Sequence, residues 1–285
     1  MATLVEIEEV TRRDFYSNAK DYWSEVPPTI DGMLGGFAFI SQRDIKGSRL
    51  LLKQLFHSVK PPDRKFALDC GAGIGRISKH LLLDLFEKVD LVDQNQTFLN
   101  QAEKYIGPGL VHKVGNFYCS GLQDFEPNPG KYDVIWMQWV LGHLTDSDLI
   151  KFFESSKKGL KPNGVIIVKE NVTSHDKVEL DEKDSSFTRP LGMLKKLFSL
   201  ANLECYRQVK QHDFPNSLYS VYMFILKPID EKFVTSEKNN QNAEIKESTV
   251  VEAQYADESN EETSIHHNCI TSDIGNTSSD ELPVS

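Results

Sequence analysis

The chain has 285 residues, 32 Lys plus Arg against 42 Asp plus Glu, and a formal charge of −10. The imbalance sits at one end: residues 229–285 hold 13 acidic and 3 basic side chains, which leaves 29 of each sign in residues 1–228. A neutral body with an acidic tail excludes a globally basic nucleic-acid binder, yet permits one charged cleft for a charged substrate. No stretch approaches the roughly 20 apolar residues of a membrane span, and the first ten residues lack the basic-then-apolar order of a secretory leader. Cys70, Cys119, Cys205 and Cys269 are far apart with no CxxC pair. Buried free thiols in a reducing compartment are therefore expected, and no metal site.

In chain order, residues 1–46 combine aromatics with turn residues. Phe15, Ala19 and Tyr22 or Trp23 share one helical face; Pro27-Pro28, Asp31-Gly32 and Gly35-Gly36 follow. So many aromatics favour a folded lid over a linker. Ser48 is placed as the cap of a helix over 48–59, with Leu51, Leu52, Leu55 and Phe56 facing inward. Residues 66–70 read as a short buried strand, and the glycine loop after it opens a helix to about 86. Residues 89–93 form a second strand and 97–105 a helix. Strands are expected at 111–119 and 132–137, a capped helix at 146–159 and a fifth strand at 165–168. Helix 190–201 leads to strands near 203–210 and 219–226, spaced as an antiparallel hairpin. Alternating strands and helices indicate an α/β fold with an open, mostly parallel sheet. Residues 229–285, rich in Ser, Thr, Asn and Glu, read as a disordered tail. The expected division is thus 1–46 as an N-terminal lid, 47–228 as the catalytic domain and 229–285 as the tail.

The informative motif is Leu68-Asp69-Cys70-Gly71-Ala72-Gly73-Ile74-Gly75-Arg76 at a strand-to-helix junction. Glycines there admit a ligand close to the backbone, and the amides of the helix start can meet an anion. Asp93 ends the next strand, 20 residues beyond Gly73, where its carboxylate could accept bonds from a ribose diol. Dinucleotide folds use GxGxxG; here the spacing is GxGxG with Asp69 ahead of it, as in S-adenosylmethionine folds. Gly121-Leu122-Gln123-Asp124-Phe125 could border an adenine. A dinucleotide oxidoreductase is disfavoured by the spacing, without being eliminated by it.

The chain resembles the eukaryotic protein α-N-terminal methyltransferases. The resemblance is carried by Phe15-Tyr16-Ser17 to Tyr22-Trp23, Pro27 to Gly36, the glycine loop, Gly121 to Phe125, and Asp133-Val134-Ile135-Trp136 with Gln138-Trp139. It continues in Gly142-His143-Leu144-Thr145-Asp146, Lys169-Glu170-Asn171, Asp181, Asp184-Ser185-Ser186, Tyr219 and Val221-Tyr222, and spans residues 12–227. It implies a class I S-adenosylmethionine-dependent fold: a seven-stranded, mostly parallel sheet with a terminal antiparallel strand and an N-terminal helical addition. It implies substrates beginning Xaa-Pro-Lys, S-adenosylhomocysteine as product, no obligate partner, and residence in nucleus and cytoplasm. The implied cofactor contacts are Gly71, Arg76, Asp93, Gln94, Asn95, Leu122, Gln123 and Gln138, with Arg76 on the methionine carboxylate and Asp93 on the ribose. Trp23, Leu34, Ile40, Trp139, Asn171, Asp181, Asp184 and Tyr219 would line the peptide channel. Glu170 stands where the family has an aspartate, and the acidic tail lies outside the pattern.

Methyl transfer to an amine needs a free lone pair. An α-amine, with a pKa of about 8, is an easier nucleophile than lysine at about 10.4. Asp184 and His143 are the candidate pair for orienting the ammonium and taking its proton, with Asn171 fixing the first peptide carbonyl. Taken singly, these residues also read as ordinary structure: Trp23, Trp139 and Tyr219 as core aromatics, His143 as a bonded structural histidine, and 179–184 as a solvated acidic face. A reading from another class is a non-catalytic adaptor using its tail for partners, which would require a broken cofactor pocket or acceptor channel. Deleting residues 235–285 is expected to leave methylation of a short peptide nearly unchanged. A large loss of kcat/KM would place the tail in the working enzyme.

Overall fold

The computed structural model describes residues 9–229. Its first helices are α1 (Glu9–Glu25), the short α2 (Ile30–Met33) and α3 (Ser41–Phe56). Strands β1 (Phe66–Cys70), β2 (Lys88–Asp93), β3 (Val114–Cys119), β4 (Tyr132–Gln138) and β5 (Leu160–Val172) then alternate with helices α4 (Leu83–Leu85), α5 (Gln96–Ile106) and α6 (Asp146–Gly159). A two-stranded hairpin of β6 (Glu179–Asp181) and β7 (Ser186–Thr188) precedes α7 (Leu191–Leu200), and β8 (Leu203–Lys210) and β9 (Ser220–Pro228) complete the fold.

Seven strands form one sheet in the order β3-β2-β1-β4-β5-β9-β8. The β1–β5 pairings are parallel, and β9 runs antiparallel to both β5 and β8. This is the class I methyltransferase topology expected above. All seven residues of β4 are buried, as a central strand covered on both faces requires. Alternate side chains of the sheet enter two apolar clusters. Leu68, Ile135, Ile166 and Phe224 lie in one with α6 and α7; Ala67, Val134, Trp136 and Ile167 lie in the other with α3. Trp136 is fully buried, as its place inside the strand suggested. Chain order reverses between β1 and β4, so their carboxyl ends open a crevice.

Several expectations need correction. Ser48 is not a helix cap: α3 begins at Ser41, and the expected boundary at residue 46 falls inside it. Ser48 is buried instead, and its Oγ accepts a 3.0 Å bond from Lys169 Nζ. Residues 111–113 form a 3-10 turn, so β3 is shorter than expected. β5 is longer than expected, because Pro162-Asn163-Gly164 is absorbed as an irregularity, with Asn163 at φ 64°. The acidic run 179–184 lies in the β6–β7 hairpin, and residues 180–183 are exposed, as a solvated face would be. Of the free thiols, Cys70 is buried but Cys119 is exposed and Cys205 is intermediate. Cys269 and the tail from 230 lie outside the described residues. Among the described residues no helix is long and apolar enough to cross a membrane.

Two polar joints tie added elements to this sheet. Arg12 Nε and Tyr16 Oη of α1 donate to Asp148 of α6 at 2.8 and 2.6 Å. Fully buried Arg189 donates to Asp146 Oδ1 at 2.8 Å and to the carbonyls of Leu141 and Leu144 at 3.0 and 2.6 Å. Removing one partner of a buried ion pair strands the other charge. Arg189→Ala should therefore destabilise the protein by about 3–5 kcal/mol in urea denaturation. A loss below about 1 kcal/mol, the range of exposed pairs, would show that the joint carries no net stability.

Candidate active site

The crevice between β1 and β4 is a cleft of about 1000 Å³, including its solvent-open mouth. The glycine loop forms its floor. Gly71 has φ 65°, and a Cβ there would lie 2.5 Å from Val140 Cγ2; Gly73 has φ 54°, and its Cβ would strike Met33 Sδ at 2.5 Å. Larger residues at either position would be strained and would fill the space where a ligand meets the backbone. Asp93, ending β2, accepts from the amides of Gly73 and Asn95, both at 2.8 Å. Two bonds leave lone pairs on its carboxylate for a diol. Burial pushes Asp93 up to about 6, opposed by those two amides. Ser120, Leu122 and Gln123 form an opposite wall.

Arg76, 4% exposed, closes the inner end. Its Nη1 donates to Asp44 Oδ2 at 2.7 Å, and its guanidinium lies 5.7 Å from the centre of the Trp139 ring. Asp44 also accepts from Gln138 Nε2 at 2.8 Å and pairs with Lys169 Nζ at 2.5 Å. Burial alone would raise the Asp44 pKa, but the charges of Lys169 and Arg76 hold it below the carboxylate range. Asp69 is pushed up to about 7 by burial, against bonds from Ser78. A glycine-rich loop, a carboxylate with free lone pairs and a guanidinium lining one cleft fit S-adenosylmethionine.

His143 stands at the other end, on the turn after β4. Trp23 Nε1 donates to His143 Nε2 at 3.1 Å, and His143 Nδ1 lies 3.2 Å from the carbonyl of Ser185. An indole nitrogen only donates, so Nε2 is the acceptor and Nδ1 carries the proton. Burial lowers the His143 pKa, with Asp184 opposing it electrostatically. The ring is thus neutral near pH 7. Asp184 is next to Ser185, whose φ of 52° turns the hairpin over the ring. Gly142 permits that approach, since a Cβ there would be 2.9 Å from the Phe187 carbonyl. Among the described residues, Asp184 Oδ1 and Trp139 Nε1 are buried polar atoms without a hydrogen-bond partner; Trp139 lines the cleft and Asp184 does not. Trp139 also holds a left-handed φ of 52°. Glu170 braces this wall, its Oε1 accepting from the amides of Val140 and Leu141 at 2.9 Å each. Burial pushes Glu170 up to about 7.

The cleft therefore gathers Gly71, Arg76, Asp93, Gln94, Leu122, Gln123, Gln138, Trp23, Trp139 and His143. It does not gather the rest into its lining. Asn95 caps α5, its Oδ1 accepting from Thr97 and Phe98, and its Nδ2 holds the Trp23 carbonyl at 3.0 Å. Leu34 and Ile40 are buried in the N-terminal segment, and Asn171 pairs with Val221 at the end of β5. Asp181 is exposed on β6 and accepts from the Lys183 amide. Tyr219 donates to Glu179 Oε2 at 2.5 Å. Sequence reasoning missed Met33 and Phe98 in the lining and Asp44 behind it. Asp44 had no local signal, because only the packing of α3 on the sheet brings it to Arg76.

The sequence profile of the AdoMet dependent proline di-methyltransferase family matches residues 11–227. N-terminal Xaa-Pro-Lys N-methyltransferase 1 of Mus musculus is 47% identical over 216 residues, 75% of this chain and 96% of the mouse protein. The Danio rerio protein of the same name is 48% identical over 222 residues, 78% of this chain and 98% of its own length. A solved SAM-dependent methyltransferase of Leishmania major superposes with a TM-score of 0.70 at 36% identity, covering 75% of this chain and 83% of that one. Like the relatives it matches, the chain is an enzyme that uses S-adenosylmethionine, and it belongs to the AdoMet dependent proline di-methyltransferase family.

Proposed function

We propose that this enzyme methylates the free α-amine of proteins beginning Xaa-Pro-Lys. The observation that carries the reading is Asp184 Oδ1, a buried carboxylate oxygen with no partner beside a neutral histidine. A buried acceptor without a bond is costly unless a ligand supplies the donor, and an α-ammonium supplies up to three. S-adenosylmethionine brings an electrophilic methyl group; the chain's own residues orient the amine and remove its proton. In this reading Arg76 receives the cofactor carboxylate and Asp93 the ribose hydroxyls, while Gln94, Leu122, Gln123 and Gln138 border the remainder.

Asp184 meets the ammonium first, because the His143 Nε2 lone pair is engaged by Trp23. His143 orients the hairpin through Ser185 and accepts a proton only when Trp23 releases Nε2. Trp139 gives the second-position proline an apolar wall, and its free indole N–H is a donor for a peptide carbonyl. Asn171 serves the first carbonyl, Asp181 the lysine, and Leu34, Ile40 and Tyr219 the channel sides. The relatives named above carry Xaa-Pro-Lys in their own names, which supports this substrate.

Replacing Asp184 with Asn should reduce kcat on an Xaa-Pro-Lys peptide by about 10²–10⁴-fold, the range for a positioned acid or base, with cofactor affinity unchanged. Normal turnover by that variant, or methylation of an α-acetylated peptide at the wild-type rate, would sink the assignment. A second expectation concerns pH. Asp93 accepts ribose hydroxyls as a carboxylate, and its folded pKa is raised to about 6. Affinity for S-adenosylhomocysteine should hold above that value and weaken as pH falls through it. Calorimetric titrations at about pH 7.5 and about pH 5.5 should differ severalfold in Kd; a flat profile removes Asp93 from the ribose.

A further inference from the structure

We propose that Lys169, which lies outside the residues lining the cleft, is a positioning residue for the cofactor: it neutralises Asp44 and so leaves the Arg76 charge available to the cofactor carboxylate. The inference rests on the reading that Arg76 receives that carboxylate.

The arrangement is a count of charges in a closed space. Asp44 is fully buried and sits between two cations, with Arg76 at 2.7 Å from one oxygen and Lys169 at 2.5 Å from the other. Two cations face one anion, so the cluster carries one net positive charge beside the cleft. Without Lys169, the Arg76–Asp44 pair would be neutral, and an incoming carboxylate would meet Asp44 as well as Arg76. At low effective dielectric that second charge is felt strongly. The remaining neighbours do not change the count. Ser41 Oγ accepts from Arg76 at 3.3 Å, and Gln138 donates to Asp44. Ser48 Oγ, the Asp44 carbonyl and Gln211 Oε1 surround Lys169 at 3.0, 3.1 and 2.8 Å. All are neutral. Asp69 also acts on Arg76; burial pushes it up to about 7, so it is a second, partly ionised acid that is present alike in the wild type and in the Lys169 variants. Burial lowers the Lys169 pKa while Asp44 opposes that shift. Lys169 is 0% exposed and is not among the residues that line the cleft, so its ammonium acts there through Asp44.

The test compares two ligands on the full chain by calorimetry. S-adenosylhomocysteine has the amino-acid carboxylate; 5′-methylthioadenosine lacks the amino-acid end. Their Kd ratio reads the amino-acid end, carboxylate included, and cancels general damage to the adenosine site. Lys169→Met should reduce the wild-type preference for S-adenosylhomocysteine by about tenfold or more, the scale of a charge-assisted bond. The double variant Asp44→Asn with Lys169→Met restores one net positive charge and should return the preference to within about threefold of wild type. A merely structural role predicts the reverse, since the double variant has lost more contacts. An unchanged ratio in Lys169→Met, or no rescue in the double variant, overturns the inference and leaves the Arg76 reading intact. Equal wild-type affinity for the two ligands overturns both. Should Lys169→Met fail to fold, the double variant decides: it removes both members of the Asp44–Lys169 pair and leaves Arg76 the Ser41 hydroxyl as acceptor. A loss of preference beyond about tenfold there also overturns the inference.

Discussion

The contact between Lys169 and Asp44 is the joint on which the cofactor half of the cleft depends. It links the middle of the sheet to α3, and α3 brings Asp44 against Arg76 and Gln138. A buried ammonium is tolerable only where acceptors surround it, and four converge here: both oxygen types of Asp44, Ser48 and Gln211. That requirement explains why α3 starts at Ser41 and runs past Ser48. The helix is held by a polar contact that a moment of apolar residues does not reveal.

Three successive residues at the end of β5 divide the work of the site, because side chains alternate along a strand. Lys169 reaches the α3 side. Glu170 turns the other way and holds the amides of Val140 and Leu141, fixing the turn that carries His143. Asn171 continues the strand toward the hairpin that carries Asp184. Glutamate in place of the family's aspartate at 170 still makes both bonds. The methyl-donor and methyl-acceptor halves are therefore registered to each other through one strand rather than through separate loops.

Much of this was legible in the chain. The strand–glycine–helix junction at 68–76 and the acid at 93 placed the cofactor loop, because local geometry alone dictates those residue types. The mostly parallel character of the sheet followed from the alternation of strands with helices. The roles proposed for His143, Asp184 and Trp139 come from the resemblance; spacing could not have supplied them. The β6–β7 hairpin was hidden, since three-residue strands rich in acids look like a solvated run. Ser48 misled for a physical reason: serine is a good cap and also a good acceptor for a buried lysine, and sequence does not separate the two. The commitment of Asn95 to capping α5, and of Tyr219 to Glu179, likewise depends on tertiary neighbours.

The chain has three tryptophans, and their indole N–H groups sit in three different chemical settings. Trp23 is bonded to the imidazole of His143, Trp136 to the amide oxygen of Gln138 at 3.1 Å, and Trp139 to no acceptor among the described residues. The first is on the acceptor side, the second is one bond from the Asp44 cluster, and the third lies between the two halves. Proton resonances of the three indoles would be well dispersed, each reporting on one part of the cleft. The enzyme thus contains its own spectroscopic probes, without a label, for following occupancy of either half separately.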